Sequence, residues 1–130
     1  MGVQNFRESI AWQKAMDLSV AVYALTRTFP KEELFGLTSQ LRRASVSIAS
    51  NVAEGQGRLT TREFLHFAGI ARGSAIEVQT QLELAERLGL GDSEQAKVVQ
   101  AQATNVARTL NSVVTGLRAK LAEEAAKNSN

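Results

Sequence analysis

Few groups in this chain could do chemistry, and most fall in one stretch, SIASNVAEGQGRLTTREFLHF, from Ser47 to Phe67. Glu63 and His66 stand three apart. On a helix this Glu-x-x-His spacing puts both side chains on one face, as in di-iron carboxylate bundles. Such a site needs two of these motifs and two further glutamates, and His66 is the only histidine. A symmetric dimer would supply a second copy, so a metal-dependent carboxylate enzyme stands as one alternative. Gly55-Gln56-Gly57-Arg58 could cradle a phosphate at a helix start, but no strand precedes it and the nucleotide-loop spacings are missing. The chain has no cysteine, which excludes disulfides, thiolate metal sites and cysteine nucleophiles. No nucleophile motif surrounds His66, so a seryl triad is excluded as well. The residues point to no catalytic group, no metal site and no cofactor.

The arginines remain. Between Leu34 and Ile76 the cations are Arg42, Arg43, Arg58, Arg62 and Arg72, against Glu54 and Glu63, a net charge of +3. Arginine makes forked contacts with carboxylate or phosphate. The plainer reading of these five is that several pair with glutamates inside the protein or across a subunit interface.

Four amphipathic helices must position these groups. The first is expected over about Ile10–Thr28, with Ser9 as N-cap. Its stripe is Trp12, Ala15, Met16, Ser19, Val22, Leu25 and Phe29, and Pro30 ends it. The second is expected over Gly36–Glu54, with Leu37, Leu41, Ala44, Ile48 and Val52 inward. Gly55 stands where a C-cap takes a left-handed residue, and Gly57 eases the reversal. Asn51 and Glu54 share a face and could brace that turn, as could Arg58, four residues after Glu54. Thr60 and Glu63 fit a capping box for the third helix, whose apolar positions are Phe64, Phe67, Ala71, Val78, Leu82 and Ala85. Gly89 and Gly91 close it. The fourth is expected from Asp92 or Ser93 to about Glu123, with Val99, Ala103, Val106, Leu110, Val113, Leu117 and Leu121 as its heptad seam. The tail AAKNSN should fray.

Short links between long helices give antiparallel neighbours, so the fold expected is all-α, an up-down-up-down four-helix bundle. It forms one domain over residues 1–130, with an ordered core over about 6–123. Small residues on helices two and three, Gly73 among them, imply close packing of that pair, since a mid-helix glycine is costly without it. A turn centred near Gly57 would set Ala68 beside Ala49 and Ala71 beside Ser45. The same register pairs Glu77 with Arg42 or Arg43. Apolar residues beyond the seams, namely Val46, Ala53, Ile70, Ile76, Val98 and Val114, point to self-association.

The chain has 130 residues, 44% hydrophobic and 22% charged, with 5% aromatic. That suits one globular domain built on aliphatic side chains. No apolar run reaches membrane-spanning length and no signal segment opens the chain, so a cytoplasmic protein without a membrane partner is expected. Met1-Gly2 is followed by Phe6 rather than Ser or Thr, against myristoylation.

The blocks F..S.AWQKA, FPKEELFGLTSQLRRASVSI, NVAEG.GR and EF..F..IARGS..E..TQL, in that order, resemble the core signature of the 23S rRNA intervening-sequence protein family. The resemblance spans roughly Phe6 to Leu121. It implies a bacterial, cytoplasmic four-helix bundle assembled as a ring-shaped homopentamer, with no known reaction. A related branch is the accessory variability determinant of diversity-generating retroelements, a pentamer with a basic surface that binds nucleic acid and a reverse transcriptase. By that likeness Arg42, Arg43, Arg58, Arg62 and Arg72 are candidate nucleic-acid contacts, RNA or DNA, with a partner protein also implied. Two positions depart from the pattern. Ala49 stands where many members have proline, and Gln56 where many have a bulky residue. The alternative of another class is a protein-interaction scaffold whose arginines serve in salt bridges.

Overall fold

The structure, a computed structural model, describes residues 5–129. Met1-Gly2, and with it the myristoylation question, lies outside them, as does Asn130. A 3-10 turn, Phe6–Glu8, leads into α1 (Ile10–Thr26), α2 (Ser39–Gln56), α3 (Thr61–Arg87) and α4 (Ser93–Asn128). Each helix packs on its chain neighbour, and α1 closes against α4. The expected all-α four-helix bundle is the fold observed.

The punctuation works through identifiable atoms. The Ser9 hydroxyl accepts from the Trp12 amide, the Thr60 hydroxyl from the Glu63 amide and the Asp92 carboxylate from the Gln95 amide. Only the threonine half of the expected capping box is made. At the end of α3 the Leu90 amide donates to the Ala85 carbonyl and the Gly89 amide to the Glu86 carbonyl. This paired 6→1 and 5→2 closure requires a left-handed residue, and Gly89 supplies it at φ 68°. Between α1 and α2, Leu34–Thr38 forms a π turn in which Gly36 leaves helical geometry at φ −107°, ψ −112°. For that reason α2 begins at Ser39, not at Gly36.

The core is aliphatic. Leu18, Val22, Leu25, Leu41, Ile48, Val78, Leu82, Val99 and Leu110 are fully or almost fully buried. The α1 stripe sits a little to one side of its expected place. Ala11 and Leu18 are buried, whereas Met16 is exposed and Trp12 half-buried. On α4 the seam holds through Leu110 and then passes to Val114, leaving Val113, Leu117 and Leu121 half-buried. Val114 is therefore a core residue, not part of an outer apolar face. Beyond it α4 runs on as helix to Asn128 with no buried side chain.

The α2–α3 pair has the most extensive contact of the bundle, but in a register one helical turn from that expected. Ser47 meets Ser74 hydroxyl to hydroxyl at 2.9 Å, and Gln81 reaches Gln40 at 3.4 Å. The pairing midpoint falls at Thr60–Thr61, because α2 continues through Gln56. Two glycine assignments change with it. Gly55 is a buried residue inside α2 with no positive φ. Its role is steric, since a Cβ there would lie 3.0 Å from Phe64 Cδ1 and 3.1 Å from Phe67 Cβ. Gly73 does not mediate the α2–α3 approach, because a Cβ at that position would meet nothing within 4 Å. Gly57 is the C-cap at φ −83°, ordinary helical geometry that still reverses the chain.

Candidate nucleic-acid interface

The five candidate arginines follow from where their helices turn them. At 100° per residue, Arg42 lies on the α1-facing flank of α2, one step from the core position Leu41. Its Nε donates to Thr26 Oγ1 at 2.8 Å, and its guanidinium stacks on the Tyr23 ring at 4.6 Å. Thr26 Oγ1 in turn donates to the Val22 carbonyl. Arg42 is thus tied to α1, and the expected pair with Glu77 is not formed. Arg43 is one residue further round, exposed and outward. Glu77 is exposed on α3, and neither Arg43 nor Glu77 takes part in an ion pair.

Arg58 is also engaged within the chain. It bridges Glu54 at 2.6 Å and lies over the Phe67 ring at 4.7 Å. This is the brace expected of Glu54 at the turn. Asn51 does not join it, since its amide donates back to the Ser47 carbonyl and hydroxyl. Arg62 is exposed in the first turn of α3. It lines an open cleft of about 450 Å³ with Leu121, Glu124 and Asn128 of α4. Thr61 secures that end by donating to Glu124 at 3.0 Å. Arg72 is half-buried on the α4-facing flank of α3 and makes no ion pair.

The structure therefore divides the candidates. Arg42 and Arg58 hold helices and a turn in place. Arg43, Arg62 and Arg72 take part in none of the ion pairs of the described residues, and they lie on different parts of the bundle. Among the described residues the ion pairs are Arg58–Glu54, Arg87–Glu83 and Lys97–Glu94, all within one helix turn or across the adjoining turn. Sequence reasoning centred on Leu34–Ile76 passed over the exposed cations Arg108, Arg118 and Lys120 of α4. The heptad seam of α4 was the signal that could have found Arg108, since it puts residue 108 opposite Val106 and Leu110.

Glu63 and His66 are both exposed near the start of α3. Among the described residues no three His, Cys, Asp or Glu side chains come together to hold a metal ion. No helix of the described residues is long and apolar enough to cross a membrane.

A family model described as 23S rRNA-intervening sequence protein matches residues 7–112. Among solved structures, one of a protein of unknown function from the S23 ribosomal protein family of Bacteroides thetaiotaomicron is similar in fold. It is 22% identical with a TM-score of 0.72, over 81% of this chain and 98% of that one. No curated protein matches the chain.

Proposed function

We propose that this chain, which belongs to the 23S rRNA-intervening sequence protein family, is a non-enzymatic homo-oligomer that binds RNA or DNA through arginines. Its assembly is a pentameric ring in the bacterial cytoplasm that works with partner proteins. The observation that carries the reading is the state of Arg43, Arg62 and Arg72. None is neutralised by a glutamate of its own chain. Had all five arginines been consumed in internal pairs, a scaffold would be the better reading.

One subunit carries a net charge of only +2, modest for a nucleic-acid binder. Assembly changes this, because each free arginine recurs around the ring and several phosphates can be met at once. Arg42 and Arg58 act from behind, holding the surfaces on which the free arginines stand. A relation to the accessory determinant of diversity-generating retroelements fits this picture, with a reverse transcriptase as the class of partner.

Electrophoretic mobility of mixed RNA and DNA across a salt series tests the proposal. Binding should weaken steeply, with log K falling by about 0.9 per phosphate neutralised for each unit of log salt. No shift at low salt would leave the scaffold reading in its place. Light scattering tests the assembly separately, and a mass of 14.1 kDa would rule out the ring.

A further inference from the structure

Arg62 and Arg72 share a side of the bundle with two arginines of α4. Arg62 lines the cleft at the end of α4. Arg72 stands two turns before Gln79, on the stripe of α3 that meets α4. Arg118 stands five full turns after Gln100, which donates to Glu86 of α3. Arg108 follows one turn after Thr104, which lines the α3–α4 groove with Gln79. Arg62, Arg108 and Arg118 are exposed and Arg72 is half-buried. None of the four takes part in an ion pair of the described residues.

Their heights along the bundle are regular. The Thr61–Glu124 and Gln100–Glu86 bonds fix the register of α3 against α4. In that register Arg118 falls midway between Arg62 and Arg72, and Arg108 falls the same step beyond Arg72. The order along the groove is Arg62, Arg118, Arg72, Arg108, alternating between the helices. Each step is about 7.5 Å, so the row is about 22 Å long.

The acids are turned elsewhere. Glu63 and Glu77 share the stripe of Gln81, which donates to Gln40 of α2. Glu123 shares that of Asn105, which accepts from Lys14 of α1. Glu124, at the Arg62 end, accepts from Thr61. Gly69 stands between Arg62 and Arg72 on the groove side, and a Cβ there would meet nothing within 4 Å. A mid-helix glycine destabilises a helix relative to alanine. What it offers here is bare backbone that another molecule can approach closely.

We infer that the α3–α4 groove is a track for one strand of nucleic acid, whose phosphates meet Arg62, Arg118, Arg72 and Arg108 in turn. This rests on the proposed function and names the surface and the form of nucleic acid. An even row of arginines with no carboxylate among them matches a polyanion of regular repeat. It does not match a protein surface, where acids come at irregular intervals. The row is also straight, as an extended strand is, whereas the phosphates of a duplex curve away from a flat side. Half of the track is on α4, and neither Arg108 nor Arg118 lies in the sequence blocks that carry the family resemblance.

Binding of short oligo-dT and oligo-U by fluorescence anisotropy across a salt series reads the contacts. Four phosphates of a single strand give a slope of log K against log salt of about −2.8. Arg108→Gln with Arg118→Gln should leave circular dichroism and melting temperature alone, since both side chains are exposed, and should halve the slope. Arg27→Gln with Lys31→Gln removes the same charge from the other end of the bundle, at exposed positions without an ion pair. That variant should keep the parent slope. If the α4 variant binds with the parent slope, the track is overturned and the proposed function rests on other arginines. Equal losses from the two double variants would mean net charge acting without a track, and would overturn it too. A duplex that binds more tightly than the single strand would overturn the choice of strand. No binding of any nucleic acid at low salt would remove the proposed function, and this inference with it.

Discussion

Replacing Gly55 separates two accounts of the α2 terminus. The residue is buried in helical geometry. A Cβ would sit 3.0 Å from Phe64 Cδ1, 3.1 Å from Phe67 Cβ and 3.4 Å from the Phe64 carbonyl oxygen. Carbon pairs are at their optimum near 3.5–4.0 Å, so the first two contacts are too close. The Phe64 ring can swing, but Phe67 Cβ is fixed to the α3 backbone. Alanine would gain about 1 kcal/mol of helix propensity and lose about 1–3 kcal/mol to overpacking. The net effect of Gly55→Ala is a loss between zero and about 2 kcal/mol, and Gly55→Asn, which is larger, should lose more. A left-handed cap predicts the reverse order, because asparagine tolerates that conformation better than alanine. Urea unfolding at fixed protein concentration reads the difference as a shift in midpoint at constant slope. The shift is roughly half a molar per kcal/mol if the slope is about 2 kcal/mol/M. The steric reasoning is refuted if Gly55→Ala stabilises by about 1 kcal/mol, as at an unobstructed helical site, or if asparagine is tolerated better than alanine.

Gly91→Ala should cost on the order of 3 kcal/mol, since strain at φ 75° adds to a Cβ 2.7 Å from Phe29 Cδ1 and Thr28 Oγ1; a melting temperature unchanged from the parent would contradict it. Thr60→Ala should cost about 1 kcal/mol by removing the cap on the Glu63 amide. Glu63→Ala should cost only a few tenths of a kcal/mol, as the loss of a charge near a helix start, and equal losses for the two would mean that the reciprocal half of the box forms in solution. Arg42→Gln should lower stability through its Thr26 and Tyr23 contacts and leave the salt slope of nucleic-acid binding unchanged. Arg62→Gln should leave stability alone and reduce that slope by about 1; the opposite split would reverse the roles assigned to the two arginines.

The parts of the fold that depend on local rules were legible in the sequence. Ser9, Thr60 and Asp92 cap the helices they precede because a short oxygen-bearing side chain before an apolar period has one good use. The α2 stripe and the α4 seam through Leu110 followed from periodicity, which needs no knowledge of neighbours. What failed depended on how helices meet. The α2–α3 register moved by one turn once α2 ran on to Gln56, and the Glu77 pairing failed separately, because Arg42 turns to Thr26 and Tyr23 of α1. Gly55 read as a cap because the sequence cannot distinguish a glycine needed for its φ from one needed for its missing Cβ. Arg42 and Arg43 are adjacent and chemically identical in the sequence. A rotation of 100° sends one to Tyr23 and Thr26 and leaves the other outward, and only packing decides which.

The length of α4 bears on how the molecule opens. Past Val114 the helix buries no side chain, and Thr61 with Glu124 is the hydrogen bond that ties this segment to α3. It lies beyond residue 112, where the family match ends. Its amides are held by helical hydrogen bonds alone and not by a core, so they can open a turn at a time without disturbing Leu110 or anything before it. Hydrogen exchange would then divide the chain into two populations at about Val114, the shared bundle protected to the full unfolding free energy and the extension protected far less. Sequence change in that last stretch can alter what it touches at little cost to the fold beneath it.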